Sequence, residues 1–157
     1  DGELVVWDSL AICEHLAECF PAAGLWPAES GARAVARSVV AEMHSGFMAL
    51  RSHMPMNLRA SRPGAGRGPG VDDDIARVIA IWEACRRDFG AGGEMLFGSF
   101  GIADAFFAPV VSRFLTYGVA PSGAAGAYMA ALWAEPAVRE WAEAARAETW
   151  RVARYET

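Results

Sequence analysis

The sequence predicts a mainly α chain, one short strand followed by a bundle of helices. Three observations carry this. Hydrophobic residues make up 54% of the 157 positions and charged residues 21%, enough apolar material for the core of one ordinary domain. From Ser9 onward the apolar residues recur at i, i+3 and i+4, the spacing of one helix face. Only residues 3–7, with the run "LVVW", have the β-branched and aromatic character of a strand.

The chain opens on Asp1-Gly2, a turn dipeptide. A single short strand at 3–7 is not stable without a neighbour. Nothing downstream reads as a second strand, so a partner strand is expected upstream of Asp1, and a first residue other than Met agrees with that. The first helix starts at Ser9, carries Leu10, Cys13, Leu16, Ala17 and Phe20 on its apolar side, and stops before Pro21. Leu25 and Trp26 are apolar plugs in the loop "PAAGLWPAES". A long helix is expected over 31–52, its apolar side running through Val35, Val39, Met43, Phe47, Leu50 and Met54, with Pro55 ending it. Residues 60–71, "ASRPGAGRGPGV", form a loop by composition. The helix over 72–89 opens on three acids, Asp72, Asp73 and Asp74, which complement the macrodipole with no metal needed. Helices over 101–117, with Pro109 inside, over 122–134 and over 136–151 complete the chain.

A formal charge of −5, with the basic residues scattered along helical stretches, excludes bulk nucleic-acid binding. The three cysteines, Cys13, Cys19 and Cys85, have neither zinc nor redox-motif spacing, and His15, His44 and His53 show no ligand pattern with them. No metal is predicted. No signal peptide and no apolar run of membrane-spanning length is evident, so no membrane partner and a cytoplasmic location are expected.

The chemistry that stands out is Asp8-Ser9, at the point where strand becomes helix. The first turn of a helix presents backbone N–H groups without intrahelical partners, and these attract an anion. A serine hydroxyl can donate to a carboxylate, and an aspartate can hold an ammonium. Together they suit the head group of an α-amino acid. Asp and Ser are equally the ordinary residues of a helix N-cap, worth about 1 kcal/mol of stability there.

The stretch "LVVWDSLAICEHLAE" resembles the last strand and third helix of the thioredoxin-like domain of cytosolic glutathione transferases. In that family an acid-Ser pair precedes a helix of the form "(E/D)SxAIxxYL". The matching residues are Asp8, Ser9, Ala11, Ile12 and Leu16, with His15 where Tyr is frequent. The stretch "LFGSFGIADAFFAPVVSRF" resembles the family segment "FG-x-(S/T)-x-A-D", which opens a central helix of the all-helical domain. Asp104 is its acid, and Gly101 stands where Ser or Thr would complete a capping box, so both are expected to serve the helix start. "EPAVREWAEAARAE" resembles the family's final helix, and the wording of 25–51 is that of bacterial members.

The resemblance implies two parts, a remnant of the glutathione-binding thioredoxin-like domain over 1–22 and the all-helical C-terminal domain over 23–157. It implies that glutathione is the co-substrate, its γ-glutamyl end held by Asp8 and Ser9. It implies attack of the glutathione thiolate on a small hydrophobic electrophile, in a homodimer engaged in detoxification. The family's catalytic Tyr, Ser or Cys lies in a region upstream of Asp1, so this segment is expected to be inactive alone. The second-substrate pocket is expected from Met43, His44, Phe47, Met48 and Arg51 on the long helix and Phe107, Arg113 and Tyr117 on the central one. The same apolar residues suit an ordinary helix-packing core. A glutathione-dependent isomerase or reductase, and a non-catalytic interaction module of the same fold, are the alternatives.

Overall fold

The computed structural model describes residues 2–153. Among them run seven α-helices: α1 (Ser9–Cys19), α2 (Ser30–Ser45), α3 (Met48–His53), α4 (Val71–Phe89), α5 (Ile102–Tyr117), α6 (Gly123–Ala134) and α7 (Pro136–Ala147). The mainly α expectation holds.

The strand does not form. Residues 3–7 are irregular, and Leu4, Val5 and Trp7 are 55%, 74% and 78% exposed. The physical reason is the one that makes lone strands unstable: no second strand among the described residues offers a ladder of hydrogen bonds. The Asp1-Gly2 turn includes Asp1, which lies outside the described residues.

The long helix expected over 31–52 is two helices. Gly46 is extended, and Phe47 adopts φ 58°, ψ 44°, a left-handed conformation rare for a residue with a Cβ. A Cβ on Gly46 would stand 2.6 Å from the Glu42 carbonyl oxygen, so the break needs glycine there. One side chain from α3 and one from α4 stabilise the two ends of the break. The Asp74 carboxylate accepts the Leu50 N–H at 2.8 Å, in the first turn of α3. The Arg51 guanidinium donates to the carbonyls of Met43, His44 and Gly46, the orphan acceptors at the end of α2. The final helix ends at Ala147, short of 151, because the Glu148 carboxylate accepts the N–H groups of Thr149 and Trp150 and turns the chain locally.

The core lies where α4, α5 and α6 meet, around Trp82. Its indole packs against Phe107, Phe114 and Tyr128 with ring centroids 5.8, 5.4 and 5.1 Å away, mostly edge-on. Helix α2 lies along α5, and α3 on α4.

Helix α1 rests on α2 by one face. Leu10, Cys13 and Ala17 pack toward the core, while Ile12, Leu16 and Phe20 stay exposed. Glu14 anchors it, accepting two bonds from Arg37 at 3.0 and 2.9 Å and one from the Trp26 indole at 3.3 Å. No helix among the described residues is long and apolar enough to cross a membrane.

Candidate functional site

Asp8 caps α1. Its Oδ1 accepts the N–H groups of Leu10 at 2.9 Å and Ala11 at 3.4 Å, and its Oδ2 meets His44 Nε2 at 3.0 Å. To do both, Asp8 takes φ 75°, ψ 131°, a conformation costing on the order of 1–3 kcal/mol for a residue with a side chain. The Leu10 N–H foremost, then Ala11 and the imidazole, hold its carboxyl below the usual carboxylate range. Ser9 follows as the first helical residue, and its hydroxyl is exposed beside this pair.

Ser9 opens onto a cavity of about 550 Å³ between α1, α2, α3 and α5. Met43 and His44 line it from the last turn of α2, Arg51 from α3, Met56 from the segment after α3, and Phe106, Pro109 and Arg113 from α5. His44 meets Phe106 edge-on with centroids 6.1 Å apart. Pro109 has no N–H to give the Ala105 carbonyl, so that turn of α5 lacks one helical hydrogen bond. Cys13 lines the cavity one turn after Ser9, and burial, with Glu14 adding, pushes its thiol up.

The structure therefore brings Ser9, Met43, His44, Arg51 and Arg113 together, with Asp8 joined through His44. It places the other expected pocket residues elsewhere. Phe47 and Phe107 are buried in the core. Tyr117 is buried too, its hydroxyl donating to the Pro55 carbonyl at 3.2 Å. Met48 is 64% exposed at the start of α3 and does not line the cavity. The long helix drawn unbroken gave Phe47 and Met48 the phase of Met43, and the turn at Gly46 resets it. Sequence reasoning missed Cys13, Ala105, Phe106 and Pro109. Cys13 was within reach, being four residues after Ser9 on a helix, the spacing that stacks side chains on one face.

The start of α5 uses Asp104. Its carboxylate accepts the Gly101 N–H at 3.0 Å and the Leu96 N–H at 3.1 Å. Burial raises its pKa despite these bonds. Gly101 has no side chain to return the capping-box bond. A different donor of this first turn, the Ile102 N–H, is taken up by the Leu25 carbonyl at 3.1 Å.

No protein-family model matches the sequence, and no curated protein matches it at a significant level. Among solved structures, a glutathione transferase homolog from Burkholderia gl BGR1 with bound glutathione matches with a TM-score of 0.66 and 25% identity. The match covers 94% of this chain and 71% of that one. The fold is that of a glutathione transferase's helical domain.

Proposed function

We propose that this chain is the electrophile-binding part of a glutathione transferase. Glutathione is held by its γ-glutamyl end at Asp8 and Ser9, and its thiolate attacks a small hydrophobic electrophile seated in the adjoining cavity. The observation that carries this is the opening of Ser9, from the head-group motif, onto the cavity shared by Met43, His44, Arg51 and Arg113. The strained backbone of Asp8 adds to it, since such strain concentrates where a ligand must be met.

In this reading residues 1–22 belong to the glutathione-binding domain and 23–157 to the helical domain. The group that stabilises the thiolate is the family's Tyr, Ser or Cys of the thioredoxin-like domain, a role in which this reading places neither Cys13, whose thiol burial pushes up, nor Ser9, which it commits to the head group. Exposed Ile12, Leu16 and Phe20 on α1 favour association with a second copy, in a cytoplasmic homodimer.

Calorimetric titration of the chain with glutathione tests the reading. Ser9→Ala is expected to weaken binding about tenfold, the loss of one hydrogen bond to a charged group. Unchanged affinity, or no binding by the wild type, would overturn it.

A further inference from the structure

The two oxygens of Asp8 have different work. Oδ1 is committed to the start of α1, where it accepts the Leu10 and Ala11 N–H groups. Oδ2 meets His44 Nε2, at 3.0 Å. The carboxylate is 46% exposed and the imidazole 35%, so a solute can reach the pair. Glu14, the next acid of α1, is taken up by Arg37 and the Trp26 indole. Among the described residues, no Asp or Glu lines the cavity onto which Ser9 opens. Asp8 is therefore the carboxylate at hand for a ligand ammonium in this corner, and an imidazole already stands on it.

The charge of that imidazole decides what an ammonium meets. Histidine gains or loses its proton between about pH 5 and 8. A neutral ring protonated at Nε2 still donates to Oδ2. Only the imidazolium also answers the carboxylate's charge, and it sets a like charge beside the incoming ammonium. The neighbouring groups hold their state over this range. Asp8, its pKa lowered first by the Leu10 N–H, stays ionised. Cys13 of α1, raised by burial above 9.0, stays neutral. Arg51 of α3 and Arg113 of α5, which line the cavity with His44, stay charged. Phe106 of α5, which meets the ring edge-on, has no charge to change.

We infer that a proton on His44 and the α-ammonium of the γ-glutamyl group compete for Oδ2 of Asp8. His44 is thus a positioning residue that admits the head group when neutral and opposes it when charged. This rests on the reading of Asp8 and Ser9 as the head-group site, and it adds a proton to that site as a competing ligand.

The test is calorimetric titration with S-methylglutathione, which has no thiol to ionise, at about pH 5.5 and about pH 7.5 and at low ionic strength. Affinity is expected to rise about two- to fivefold from the lower pH to the higher, the size of a partly exposed ion pair. Repeating the titration in buffers of different ionisation enthalpy should show protons released on binding. His44→Gln keeps a donor for Oδ2 and carries no charge at either pH. In that variant the ratio of the two affinities should fall to about one and the proton release should vanish, with circular dichroism confirming the fold. Equal affinity at both pH values in the wild type, or a pH dependence that survives in His44→Gln, would overturn this inference and leave the transferase reading standing. Failure to bind at either pH overturns both. Binding with the expected pH dependence but insensitive to Ser9→Ala overturns the transferase reading alone.

Discussion

Replacing Gly101 by Ser sets two physical effects against each other at the start of α5. A serine there would supply the missing arm of the capping box with Asp104. Ser over Gly at an N-cap is worth only a few tenths of a kcal/mol. Against that, a Cβ on Gly101 would stand 2.9 Å from the Leu25 carbonyl oxygen. That oxygen is main chain, with little freedom to swing aside, and it accepts the Ile102 N–H at 3.1 Å. Ile102 is 4% exposed, so displacing the carbonyl strands a buried donor, at a cost of about 1–3 kcal/mol. The cost exceeds the gain, and Gly101→Ser should destabilise the chain by about 1–2 kcal/mol. Urea unfolding at neutral pH checks this, with a midpoint expected to fall by about 0.5–1 M for a slope near 2 kcal/mol/M. A midpoint that rises would refute the reasoning. It would show that the box can be completed without disturbing Leu25, and that glycine here is not a packing requirement.

Phe107→Ala should cost about 3–5 kcal/mol, because the ring is fully buried against Trp82, and urea unfolding would reveal a much smaller loss if the ring lined the cavity instead. Iodoacetamide at pH 8, followed by peptide mass mapping, should label exposed Cys19 first and leave Cys85 untouched until unfolding, since burial pushes the Cys85 thiol up to about 11. Equal labelling of Cys19 and Cys85 would contradict the buried placement. Glu42 pairs with Arg77 at 2.6 and 2.8 Å, and that bond lowers the Glu42 pKa below its ordinary 4.5. The lowered value means that the pair's contribution is present above pH 4.5 and is lost as pH falls through the folded pKa. Both side chains are more than a third exposed, so the effect should stay under about 1 kcal/mol. Comparing acid unfolding of Glu42→Gln with the wild type should show a slightly flatter approach to low pH.

Much of the helical layout was legible because its punctuation is local. Pro21 ends α1, the acids after Gly70 open α4, and Pro136 opens α7, each within a residue or two of where the structure has them. The break between α2 and α3 was not legible. Apolar periodicity runs through Gly46 and Phe47 without interruption, and the bonds that stabilise the turn come from Arg51 and from Asp74 on another helix. Phe106 and Phe107 show a second limit. Adjacent aromatic residues on a mostly apolar helix leave its rotation undecided; in the structure Phe107 packs on Trp82 of α4 and Phe106 lines the cavity. At Asp8 the sequence offered a choice between a cap and a ligand contact. The structure shows the carboxylate capping α1 and adds His44, a partner not legible in the sequence because its approach depends on how α2 crosses α1.

Arg51 has a consequence for molecular recognition through its side-chain entropy. Long cationic side chains lose about 1.5–2 kcal/mol of rotamer freedom when a ligand orders them. Here three main-chain carbonyls at the end of α2 have already fixed the guanidinium when the chain folds. A ligand arriving at this wall meets a preorganised charge and spends none of its binding energy arranging it. The same rigidity means that the arginine cannot follow ligands of different shape. Adaptation falls instead to Met43 and Met56, whose unbranched thioethers can repack around varied apolar groups. Orientation and breadth are thus assigned to different side chains of one cavity.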